Sequence, residues 1–291
     1  MAELQREEPQ IWDTMQYLKC EHDHQRLCMV VLRVLHLELS RTRTDANSAD
    51  AARIRLEWWK SAVSAIVNEK SVLQPMKEST PLLIALRVAR RRYNLNHNWL
   101  MKLVTAREVF LTANTFMSML ELEEYAESTQ TMLLYLSMEC MNMAYSSSKQ
   151  THFKLASHLG VFMTIASVLR SIPYSVKNGF IALPDDVAAD CDVWRFEQVV
   201  LEEHKSTLQL KTAVERMVVS AYQHFYAAKD LEREGMNDKV KSLFLCSLPA
   251  QRYLKQLEKL GFDVFDPKLN DMDMGLSWKW ELMKKSMTNT F

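Results

Sequence analysis

The chain has 291 residues with 36 basic and 36 acidic side chains, so its formal net charge of zero gives no bulk positive field for binding nucleic acid. Its 5 glycines and 7 prolines are too few for the turns of a many-stranded fold. The 5 cysteines, at 20, 28, 140, 191 and 246, form no CxxC pair and suit a reducing compartment, not a disulfide framework.

Leu, Met, Ala, Glu, Lys and Arg favour helix, and the helical period recurs along the chain. Residues 10–45 read as one or two helices, with Leu27, Val30, Val31, Val34 and Leu35 as an apolar stripe. Residues 44–50 make a polar break. Ser48 or Asp50 then caps a helix over 51–68, in which Ile54, Trp58, Ala62 and Ala65 recur on one face. A loop is expected over 69–80, and Pro81 opens the next helix at its first turn. Helices are predicted over 81–93, 96–114 and 118–142. A serine linker at 146–148 leads to a helix over 150–170. Pro173 and Gly179 are expected to break helicity over 171–184 and to leave a short extended segment. Further helices are expected at 194–204, 206–234, 237–246, 249–260 and 276–286. No run of about 18 apolar residues occurs, so no transmembrane segment is expected.

Two stretches carry a family resemblance. Residues 158–184 run from His158-Leu-Gly160 through Leu169-Arg170 to Leu183-Pro184, and residues 53–60 read Arg-Ile-Arg-Leu-Glu-Trp-Trp-Lys. They resemble the squalene/phytoene synthase superfamily: an Arg-Leu-x-Trp-Trp element, then a helix ending in Leu-Arg, an Asp-x-x-x-Asp pair and Leu-Pro. Residues 99–104, 122–130, 133–136 and 262–269 are similar to the branch of that superfamily made of mitochondrial complex I assembly factors. Order and spacing hold from about residue 26 to the end. The resemblance therefore implies an N-terminal extension and helix start at 1–25 and one helical domain at 26–291. The implied fold is all-α, an isoprenoid-synthase-like irregular bundle around a central cavity.

In the family's enzymes the aspartate pair holds magnesium on a substrate diphosphate. Its two positions here are Ser171 and Ser175, and a neutral hydroxyl does not replace an anionic ligand for a hard dication. An earlier aspartate pair lies on the helix before the Trp-Trp element. Here that helix carries Glu38 and Asp45 two turns apart, with Ser40, Arg41, Arg43 and Thr44 between them. Carboxylates sharing a metal need to be neighbours at i, i+3 or i+4, and arginine does not become a ligand. The resemblance thus implies a pseudoenzyme without catalytic residues, metal or cofactor. Asp186 and Asp190 do match Asp-x-x-x-Asp, but they follow Pro184, where acidic residues cap a helix start.

Arg53, Trp58 and Arg170 are the candidate ligand-binding residues. Arg53 and Arg170 match basic positions near the family's diphosphate site. Without the aspartates they are expected in structural ion pairs, with Glu57 or Glu38 as candidate partners. Trp58 and Trp59 point to different faces of one helix, so one packs in the core while the other lines the cavity or is partly exposed. Cys20, His24 and Cys28 lie one turn apart, and His22 sits between them, which invites a metal reading; a solvated helix face is preferred. Met117, Met119, Met132, Met138, Met141 and Met143 read either as an adaptable partner surface or as core fillers. The tail over 276–285 mixes Trp278 and Trp280 with lysines, and is expected to dock on its own bundle or on a partner more than on lipid.

The resemblance implies a non-catalytic assembly factor of the mitochondrial matrix that binds a client subunit during complex I biogenesis. Protein partners, possible peripheral membrane association and no direct nucleic-acid contact go with it. Two alternatives stand beside it: an inactive scaffold in another mitochondrial assembly such as the maturing ribosome, and a prenyl-diphosphate transferase with atypical metal ligation. Residues 1–9 are acid-rich, unlike an import presequence.

Overall fold

Most helix boundaries follow from local chemistry. In the computed structural model, which describes residues 2–46, 48–67, 80–143, 149–233, 238–269, 275–288 and 291, every described regular element is helical. The expected linkers at 69–79 and 146–148 lie outside the described residues. Two short helices, α1 (Ala2–Glu7) and α2 (Pro9–Gln16), precede α3 (Asp23–Thr44) and α4 (Ala49–Val67). Helix α5 (Pro81–Tyr93) starts at the Thr80 cap with Pro81 in its first turn, and stops at Asn94, whose φ of 49° is left-handed. Asn96 caps α6 (His97–Thr105) by accepting from the Asn98 and Trp99 amides. After the short α7 (Val109–Thr112), Ser118 caps α8 (Met119–Ala126) while Glu121 reaches back to the Met117 amide at 2.6 Å.

The helix predicted over 96–114 is interrupted by a 3₁₀ turn, Ala106–Glu108, and the one over 118–142 by a π turn, Glu127–Thr131, before α9 (Met132–Cys140). Both turns place polar side chains on the bundle's interior. The π turn also lies against α10 (Lys149–Lys177). A Cβ on Gly160 would come within 2.9 Å of the Thr131 backbone nitrogen, so this crossing needs glycine.

Helix α10 is the central strut, and α13 (Leu208–Arg233) runs along it. Leu155, Leu159, Phe162, Ile165, Leu169 and Ile172 are fully buried on it. Within Gln150–Lys177 an 18-residue window has a mean hydropathy of 1.4, so by length and composition the helix could cross a membrane, but 67% of that window is buried inside the bundle. The absence of an uninterrupted apolar run thus missed a helix that passes on average hydropathy.

The expected break over 171–184 is corrected. Helix α10 runs through Pro173 to Lys177. An interior proline costs about 3 kcal/mol, but Ile172 and Val176 are buried around it, and each full aliphatic burial contributes roughly 1.5–3 kcal/mol. The chain turns at Gly179, whose φ is 84°, and enters α11 (Asp185–Asp190). Helices α12 (Glu197–Glu203), α14 (Asp238–Phe244) and α15 (Leu248–Lys259) close the bundle. Helix α16 (Leu276–Thr288) buries Trp278 and Leu282 on Leu245 and Leu248 in a small satellite core. Trp278 donates to Asp13 of α2 at 2.9 Å, so the two ends of the chain meet.

Three packing expectations change. On α4 the buried residues are Ala52, Leu56, Trp59, Ala62, Val63 and Ile66, while Ile54 and Trp58 face outward. The stripe was set one position off, because Trp58 and Trp59 compete for the same register. Cys28 is in the core, its sulfur 2.8 Å from that of Cys140. His24 is half-buried, stacked on His22 and Tyr93. These side chains therefore share neither a metal site nor a solvated face. Of the six methionines, Met132, Met138, Met141 and Met143 are buried and Met117 is exposed.

Candidate functional site

Two neighbouring cavities open inside the bundle, of about 410 and about 400 Å³. Glu8, His36, Gln130 and Ser167 line both and form the wall between them.

The first cavity collects Ser40, Thr44, Ser171 and Ser175 from α3 and α10. Each hydroxyl is turned back onto its own helix. Ser40 donates to the Leu37 carbonyl at 2.7 Å, Ser171 to Val168 at 2.7 Å and Ser175 to Ile172 at 2.9 Å. Ser175 also accepts from the Ala182 amide at 3.0 Å, so it ties the helix end to the following turn. Arg41 is not in the cavity lining. It pairs with Glu7 at 2.9 Å and Glu38 at 3.6 Å, which ties α1 to α3. Arg6 and Arg41 together hold the Glu7 carboxyl below the usual carboxylate range. Glu38 and Asp45 are both engaged by Arg55, at 3.6 and 3.8 Å.

This donor set does not fit a magnesium–diphosphate centre. Glu8 is the one carboxylate in the lining, and the other lining oxygens are neutral hydroxyls and side-chain amides, with the serines at the family positions bonded back to helix carbonyls. A hard dication takes its affinity from clustered anionic oxygens. Asp186 and Asp190 supply no such cluster either. Asp186 accepts from the Val187 and Met119 amides, at 2.7 and 3.1 Å, and Asp190 pairs with Arg216 at 2.6 Å.

The candidate ligand residues separate. Arg170 lines the second cavity, with its guanidinium 5.0 Å from the centre of the Tyr253 ring. Desolvation there lowers its pKa, and pushes the Tyr253 hydroxyl well up. Arg53 is corrected: it is exposed and pairs with Asp50, one turn back. Trp58 is corrected too: it lies on the outer surface with its edge to Trp59, away from both cavities.

The sequence reading missed the floor of the first cavity. Arg107, on the 3₁₀ turn, is buried, donates to the Tyr125 hydroxyl, and contacts His36 Nδ1 at 3.3 Å. Desolvation lowers its pKa to about 10, so it stays charged at neutral pH. Burial, then Arg107 and Arg33, push the His36 pKa well down, which keeps the ring neutral and its Nδ1 free to accept. Gln130, from the π turn, accepts from buried Arg33 at 3.3 Å. An arginine inside a helical run gives no periodic signal, and only the irregular turns aim these residues inward.

The squalene/phytoene synthase family model matches residues 18–274. The chain belongs to the squalene/phytoene synthase family. Curated relatives include "NADH dehydrogenase (ubiquinone) complex I, assembly factor 6" of Mus musculus, 29% identical over 84% of this chain and 69% of the relative. The Homo sapiens protein of that name is 28% identical over 84% and 69%. A homologue so named in Drosophila melanogaster is 27% identical over 81% and 69%. Among solved structures, a dehydrosqualene synthase in complex with ligand superposes with a TM-score of 0.77 at 15% identity, covering 99% of this chain and 93% of that one. The squalene synthase HpnC of Alicyclobacillus acidocaldarius gives 0.61 at 15% identity, covering 90% and 97%. These superpositions show the family's all-α, isoprenoid-synthase-like fold in this chain.

Proposed function

We propose that this protein is an assembly factor for mitochondrial respiratory complex I and acts by binding, not by prenyl transfer. The observation that carries the reading is the combination of relatives named for that role with a cavity whose family metal positions are back-bonded serines. The client in this reading is an unassembled complex I subunit in the matrix. Helices α4 and α5 pack together and offer it exposed apolar pairs, Ile54 with Trp58 and Ile84 with Val88. Apolar side chains grouped on a surface mark protein contacts. On α16, Leu276, Trp280 and Met287 face outward beside Lys279 and Lys284, which suits peripheral contact with the inner membrane.

The test is depletion followed by rescue. Loss of the protein lowers assembled complex I on native gels, and both the wild type and Ser171→Ala restore it. Ser171 donates only to its own helix, so its removal leaves binding intact. The transferase reading instead requires magnesium-dependent binding of farnesyl diphosphate and loss of rescue when the cavity hydroxyls are removed.

A further inference from the structure

Arg107 is a buried cation that faces a cavity whose one lining carboxylate, Glu8, makes no ion pair with it. Its relative exposure is 8%, it lines the first cavity, and its Nε has no hydrogen-bond partner. Its other contacts are neutral: the Tyr125 hydroxyl, the Tyr125 ring with centroid 5.3 Å away, and His36. Among the described residues no carboxylate pairs with it. A charge taken out of water is costly unless an anion and hydrogen bonds compensate it, and a guanidinium fork matches a carboxylate with two parallel bonds.

Above this floor the wall is apolar. Phe110 and Phe116 stack edge-on with each other and close on Tyr125, and Leu111, Val168 and Phe180 continue the lining. Ser40, Thr44 and Tyr174, also in the lining, are exposed and mark where the cavity opens to solvent. The polarity is that of a charged floor and an apolar shaft. A volume of about 410 Å³ falls within the roughly 300–1,000 Å³ of small-molecule sites.

We infer that the first cavity binds an amphipathic carboxylate head-inward, with the carboxylate on Arg107 and the hydrocarbon tail along the phenylalanine-lined shaft, without a metal. The inward head separates this site from one that holds an anion at the serine positions. It stands apart from the proposed assembly role, because it is read on the purified chain alone.

The experiment is titration of the purified full-length protein with dodecanoate in metal-free buffer, beside dodecanol, inorganic phosphate and the variants Arg107→Met and Arg107→Lys. Dodecanoate binds one per chain and raises the melting temperature. Dodecanol and phosphate each bind at least tenfold more weakly, since each lacks one half of the ligand. Arg107→Met loses at least tenfold in dodecanoate affinity, and Arg107→Lys, which keeps the charge without the fork, loses less. Should Arg107→Met fail to fold, the three ligands on the wild type decide by themselves. Equal affinity for dodecanol, phosphate binding as tight as dodecanoate, or dodecanoate affinity unchanged in a folded Arg107→Met overturns the assignment.

Discussion

At the residue scale, His36 and Gly160 show how single side chains are constrained by what they touch. His36 is held neutral by burial and by the Arg107 and Arg33 charges. Its folded pKa lies below the unfolded value of about 6.5. The unfolded chain therefore binds the extra proton first as pH falls, and stability is complete above that value and lost below it. Urea unfolding between pH 7.5 and 5 should show a loss of up to about 1.4 kcal/mol per pH unit from this residue, and His36→Asn should flatten the profile. A profile unchanged by that substitution contradicts the account of His36. Gly160→Ala should cost roughly 1–3 kcal/mol by overpacking, because the added methyl meets Thr131 backbone atoms that have no free rotamer. Ser171 and Ser175 were legible as cavity positions because a motif names them. Arg107 was not, because an arginine in a helical run looks the same whether it points to water or to a cavity.

At the element scale, the sequence shows helix existence and type far better than interruptions. Capping residues such as Thr80, Asn96 and Ser118 mark helix starts through their own side-chain bonds. The 3₁₀ and π turns leave no such mark, since Ala106–Glu108 and Glu127–Thr131 are ordinary helix-compatible residues bent by packing. Pro173 misled in the opposite direction, because burial of Ile172 and Val176 overrides a local breaker. Helix α16 is held by Trp278 at the satellite core and by its bond to Asp13. Trp278→Ala should cost about 3–5 kcal/mol and release both chain ends, seen as faster hydrogen exchange in α16 and α2. Slow exchange retained in α2 would show that the ends are held separately.

At the scale of the whole molecule, family order and spacing carried the fold, and the superposed synthases share it at low identity. The proposed role of binding without catalysis depends on charge placement. Ser171 and Ser175 are neutral, α1 is clasped to α3 by Glu7 and Arg41, and a buried cation lines the cavity. If α4 and α5 form the client face, Ile54→Glu with Val88→Glu should abolish partner recovery while leaving the melting temperature within a few degrees of the wild type, since both side chains are exposed. Recovery undiminished by this pair would move the contact to another surface. The most direct measurement is affinity purification of the tagged full chain from isolated mitochondria, followed by mass spectrometry. The account predicts enrichment of complex I subunits and their assembly partners. Enrichment of a different assembly with complex I absent would contradict it.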